Sequence, residues 1–149
     1  MRRGFVIVAL TAALIGPARG FDFEPATPLD VPKLAPEMQA NVLGTWEIRD
    51  KSGKKRCRIT LQKEFTIGGY QADVAPGCEK AFPVMADISG WRLLEGWTID
   101  LVDPLRNIRV RFETPDNRYI ALGDPKDIAG IYGLLRVQDT KGKGGPKKP

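Results

Sequence analysis

From Gly44 onward, apolar and polar positions alternate along the chain with a period of two. Trp46 and Ile48 alternate with Thr45, Glu47 and Arg49, and Cys57, Ile59 and Leu61 alternate with Arg56, Arg58, Thr60 and Gln62. That period is the mark of a strand buried on one face. Between the two runs lies Asp50-Lys51-Ser52-Gly53-Lys54, whose glycine can take a positive φ, so Gly44 to Leu61 is predicted to be a β-hairpin. It carries a large indole on one strand and a cysteine on the next.

The same pattern continues. A turn at Gly68-Gly69 leads into a strand from Tyr70 to Val74, and Ala75-Pro76-Gly77 turns the chain to Cys78. Ala81, Phe82, Val84, Met85 and Ile88 lack a clean period and predict a loop or short helix. Trp91, Leu93 and Leu94 form the next strand, followed by a Glu95-Gly96 turn. Trp97, Ile99 and Leu101 then alternate with Thr98, Asp100 and Val102, and Ile108, Val110 and Phe112 alternate with Arg109, Arg111 and Glu113. Tyr119 to Leu122 and Ile131 to Val137 supply the last strands. Seven or eight short strands with almost no helical periodicity predict a sandwich or a closed barrel, all-β in class. Closure removes sheet edges that invite aggregation, which favours a small antiparallel barrel.

Ahead of the strands the chain changes character. Met1-Arg2-Arg3, the apolar run Phe5 to Ile15 and the small residues before Phe21 describe a secretory signal over 1–20. The apolar run is well short of the ~20 residues a spanning helix needs, so cleavage after Gly20 with no stable membrane insertion is expected. No cysteine lies near that site, and a periplasmic or secreted location follows. Residues 21–42 form a proline-rich arm, with Pro25, Pro28, Pro32 and Pro36 at intervals of three or four. Fixed φ and missing N–H groups make it extended and stiff. Its last part, from Pro36, has the proline-first start of a short helix. The barrel is assigned to 43–138, and the Lys/Gly/Pro tail 139–149 is expected to be disordered.

These divisions change the meaning of the charge. The full chain has 23 basic and 18 acidic side chains. Three arginines belong to the leader and four lysines to the tail, so residues 21–140 carry 16 basic against 18 acidic, a net −2. A nucleic-acid partner, which needs basic residues gathered on a folded face, is not expected. Two cysteines in an exported chain predict a Cys57–Cys78 disulfide over free thiols or a metal pair, since the chain has no histidine to complete a zinc site.

Little of the sequence points to catalysis. Without histidine the commonest general base is missing, and neither Ser52 nor Ser89 stands in a Gly-x-Ser-x-Gly turn. Carboxylates such as Asp100 with Asp103 or Glu95 read as solvated strand ends and turns. No phosphate loop or metal motif is present, so no cofactor is expected and the chain does not read as an enzyme. Trp46, Trp91 and Trp97 read as core before they read as the lining of a ligand cavity. The arm opens with Phe21-Asp22-Phe23-Glu24-Pro25, two aromatics interleaved with two acids. Such a start suits a docking element as well as a spacer, because a stiff arm loses little entropy on binding.

Gly44-Thr45-Trp46, the Arg56-Cys57-Arg58-Ile59-Thr60-Leu61 strand, Gly77-Cys78 and then Trp91 with its alternating strands resemble the bacterial Inh family of metalloprotease inhibitors. The resemblance spans roughly Val42 to Val137. It implies an eight-stranded up-and-down barrel, exported, with its two cysteines joined. It also implies that an amino-terminal segment, here Phe21, Asp22, Phe23, Glu24 and Pro25, enters the cleft of a secreted serralysin-type zinc protease, or of another protease. This arm is longer and richer in proline than the family's usual trunk. Two rival readings are a calycin-like barrel holding a small apolar ligand among the three tryptophans, and an envelope-associated structural protein tethered by arm and tail.

Overall fold

The computed structural model describes residues 23–116, 118–122 and 130–137. The expected leader, Phe21, Asp22 and the tail 139–149 lie outside these residues. A helix α1 (Pro36–Val42) begins with proline at its first position and Glu37 in its first turn, where a negative charge favours the helix dipole. Leu43 closes it, its N–H donating to the Gln39 carbonyl at 2.9 Å. Gly44 follows at φ +112°, a backbone angle that L side chains rarely adopt, and this turns the chain out of the helix into the barrel.

The wall consists of β1 (Gly44–Arg49), β2 (Arg56–Thr66), β3 (Gly69–Val74), β4 (Gly90–Leu94), β5 (Thr98–Val102), β6 (Ile108–Glu113), β7 (Tyr119–Leu122) and β8 (Gly133–Arg136). They pair in chain order and close as an up-and-down barrel. All pairs are antiparallel, and β1 pairs with β8 to complete the ring. The predicted hairpin sets the register: Trp46 lies opposite Ile59, and Ile48 lies opposite Cys57 on β2 and Leu134 on β8. The inward positions form the core, with Ile48, Trp91, Leu93, Ile99, Leu101, Val110 and Phe112 each 0% exposed. Each side chain of this size contributes about 1.5–3 kcal/mol of burial.

A short helix α2 (Cys78–Ala81) and a 3₁₀ turn (Pro83–Asp87) connect β3 to β4 and bury Phe82 and Met85. The Cys57–Cys78 disulfide fastens α2 to β2 with Cα atoms 5.1 Å apart. The glycine of β3 has a packing role. A Cβ on Gly69 would stand 2.3 Å from the Trp91 carbonyl oxygen, so only glycine allows β3 this close to β4.

Three sequence expectations need correction. β2 runs on to Thr66, past Leu61, as an exposed extension beyond an irregularity in its pairing with β3. Trp97 does not join β5 as an inward residue: it sits half-buried in the turn after β4 at φ +61°. Asp100 and Asp103 are not solvated surface groups, being 1% and 6% exposed. Asp103 is enclosed by the turn it caps. The burial of Asp100 has a longer-range cause.

Candidate functional site

β3 reaches β4 only through Tyr70 opposite Trp91 and Gln71 opposite Gly90. The far half of β4 therefore keeps a free edge toward β3. The arm takes it: Leu29 N–H donates to the Leu93 carbonyl at 2.8 Å, Glu95 N–H donates to the Thr27 carbonyl at 2.9 Å, and Pro28 bridges Leu94. Proline is tolerated at an edge because its missing N–H faces away from the ladder. Beyond this ladder Val31 is completely buried in a 3₁₀ turn (Val31–Lys33), and its N–H donates to the Tyr70 hydroxyl at 2.9 Å. The lower arm is part of the barrel wall.

Nearer the amino terminus the arm passes over the outer face of β5 and β6. Asp100 lies between the inward residues Ile99 and Leu101, and Arg111 between Val110 and Phe112, so both point outward and face each other across the strands. Arg111 Nε and Nη2 donate to the two carboxylate oxygens of Asp100 at 2.7 and 2.8 Å. Its third arm, Nη1, donates to the Glu24 carbonyl at 2.7 Å, and the guanidinium carbon lies 5.0 Å from the centre of the Phe23 ring. The Asp100 hydrogen bonds raise the guanidinium above its usual range against the opposing effect of burial. Covered in this way, the pair is closed to water although its strand positions are outward.

Of the arm residues singled out from sequence, Phe23 is half-buried against Arg111, whereas Glu24 and Pro25 keep exposed side chains. Phe21 and Asp22 lie outside the described residues. Sequence reasoning missed Arg111, Asp100 and Tyr70 as arm contacts. The alternation on β5 and β6 carried the one available signal, an Asp and an Arg on the same outward face.

Asp103 and Ser52 are bonded within turns. Asp103 Oδ1 accepts the N–H groups of Leu105 and Asn107, each at 2.9 Å, and Oδ2 accepts the Asn107 side chain at 3.0 Å. The Asn107 side chain foremost holds its carboxyl below the usual carboxylate range. Ser52 donates to Asp50 within the first hairpin. Among the described residues no cluster of three Cys, Asp or Glu groups is placed to hold a metal ion.

Trp46 and Trp91 are core, 4% and 0% exposed, with indole N–H groups donating to Val42 and Gln62 carbonyls at 2.8 Å. A cleft of about 560 Å³ lies instead beside β7 and β8, lined by residues including Arg49, Arg118, Tyr132 and Leu135 and by none of the three tryptophans.

The geometry defines a class: a closed eight-stranded up-and-down barrel, pinned by a disulfide, with an amino-terminal arm fastened along its outside. The chain belongs to the Inh family of protease inhibitors, whose model, "Protease inhibitor Inh", matches residues 37–127. A comparison with curated proteins found no match. The matched stretch begins inside α1, so Phe23 to Pro36 precede it.

Proposed function

We propose that this protein, exported to the periplasm or beyond, inhibits a secreted zinc metalloprotease of the serralysin type through its amino-terminal arm. Membership of the Inh protease-inhibitor family supports the inhibitor role and a protease as the partner. The observation that carries the arm reading is its placement: the base is bonded to the barrel, while Glu24, Pro25, Ala26 and Thr27 remain exposed along the outside. An exposed strand on a rigid base is already ordered when the partner arrives, which spares the usual entropic cost of docking a loop.

A catalytic zinc site keeps one coordination position open for water. The amine of Phe21, freed by removal of the leader, or the carboxylate of Asp22 suits that position. Pro25 and Pro28 stiffen the segment behind it and remove backbone N–H groups that a protease would engage in cutting. The chain supplies no catalytic group of its own to this reading. Its barrel limits how far the arm enters and adds contact area.

The test is inhibition of a serralysin-type zinc protease by the oxidised chain beginning at Phe21, beside Asp22→Ala in the same chain. Substitution is a better probe than a deletion to Pro36, because deletion would also remove Val31 from the core. The expected result is tight inhibition weakened at least about tenfold by the substitution, as for loss of a central interface contact. Equal inhibition by both chains would remove the Asp22 carboxylate from the mechanism, and equal inhibition by a chain beginning at Phe23, which lacks both candidate groups, would overturn the arm mechanism. No inhibition by either would overturn the metalloprotease target.

A further inference from the structure

Resting on the arm reading above, we infer that Arg111 is a positioning residue that sets the direction in which the inhibitory arm leaves the barrel. Its guanidinium is a planar fork, and Asp100 fixes that plane by taking two of its N–H directions at 2.7 and 2.8 Å. The remaining Nη1–H then points along a set line, on which the Glu24 carbonyl lies at 2.7 Å. Phe23 packs against the guanidinium, so the cation contacts two successive arm residues.

A second fixed point lies three residues on, where the Thr27 and Leu29 backbones are bonded to Glu95, just past β4, and to Leu93 within it. Pro25 stands between the two anchors and Pro28 within the second, so the span cannot swivel freely. The arm from Phe23 to Leu29 is therefore a strut held at both ends.

The choice of residues supports positioning over stability. The Arg111 and Asp100 side chains are only 6% and 1% exposed. A buried ion pair is often no more stabilising than apolar side chains of similar volume. Apolar side chains would cover the same wall, but they would not fix the Glu24 carbonyl.

This contrast gives the experiment. In the oxidised chain from Phe21, the paired change Asp100→Leu with Arg111→Met removes the fork without leaving a buried unpaired charge. The melting temperature should stay close to that of the native chain, while the inhibition constant toward the serralysin-type protease rises about tenfold or more, the loss expected when a pre-ordered arm becomes one orientation among many. Adding Asp22→Ala to the paired variant should then cost less than about twofold, against about tenfold in the native chain, because coupled sites are non-additive.

Arg111→Lys, which keeps the charge but cannot serve both partners as a fork, should fall between the two and serves if the paired variant fails to fold. Unchanged inhibition by the paired variant, with Asp22→Ala still costly in the native chain, would refute the positioning role and leave the arm mechanism standing. Tighter inhibition would also refute it, since the contact would then be restraining the arm from its target. If a chain beginning at Phe23 and the paired variant both inhibit as the native chain does, the arm mechanism itself fails and the positioning role falls with it.

Discussion

Tyr70→Phe tests whether the base of the arm is built into the fold, and it does so by removing one oxygen atom. The ring of Tyr70 packs between Phe65 and Trp91, with centroids 4.9 and 5.5 Å away, and phenylalanine keeps both contacts. What is lost is the acceptor for the Val31 N–H, which lies 2.9 Å from the hydroxyl in a buried site. Val31 itself is 0% exposed, so its N–H has no route to solvent without local opening. An ordinary neutral hydrogen bond contributes about 0.5–1.5 kcal/mol net, but a buried donor left unpaired costs about 1–3 kcal/mol. For a domain of this size the expected drop in melting temperature is roughly 5–15 °C.

The assay is a urea titration followed by tryptophan fluorescence, since Trp46 and Trp91 are both core residues. The midpoint should fall with an unchanged slope, the sign of lost stability without a change in the surface exposed on unfolding. Tyr132→Phe, at a position 41% exposed, is the control and should leave the midpoint in place. A pH series adds a second check. Burial raises the Tyr70 hydroxyl above its ordinary value of 10.0. Its contribution to stability is therefore fully present below pH ~10 and is lost as pH rises through the higher folded value. The gap between native and variant midpoints should be widest near neutrality and should narrow in strong alkali. An unchanged midpoint at neutral pH would refute the reasoning and detach the arm from the stability of the barrel.

The disulfide closes a separation of 21 residues, so Cys57→Ala with Cys78→Ala should cost about 3 kcal/mol by the chain-entropy model, read from the same urea titration. Gly69→Ala should cost about 1–3 kcal/mol, because the new methyl meets the Trp91 backbone and must separate β3 from β4 where they share only two register pairs; faster hydrogen exchange at Tyr70 and Gln71 checks it. Asp103→Ala should lower the melting temperature at pH 7 by uncapping the turn before β6. The native carboxyl titrates below its ordinary value, so its stabilisation is present above pH ~4 and lost as pH falls through the lower folded value. The difference between native and Asp103→Ala should thus vanish in strong acid in a pH-resolved thermal melt.

The barrel was legible in the sequence because its evidence is local. Two-residue alternation along Gly44 to Leu61 and along Ile108 to Glu113 marks strands whichever partners they find, and Pro36 marks the start of α1 without reference to the barrel. Trp97 shows where alternation misleads: its spacing from Ile99 fits β5, but the turn after β4 takes it at φ +61°. The exposed end of β2 has no buried face and hence no period to detect.

Asp100 and Arg111 mark a deeper limit. Their alternation gives the correct face, outward, and by itself equates outward with solvated. What covers them is Phe23 and Glu24, and the bond from Arg111 to Glu24 spans 87 positions of sequence. Nothing in the neighbourhood of either strand encodes that cover. The composition of the arm suggested that it docks, but not that its first docking surface is its own barrel. A period of two reports which way a side chain points, and only the path of the whole chain decides what lies above it. The contact that fastens the arm therefore stayed hidden, although the strands carrying its two charged residues were among the most readable parts of the sequence.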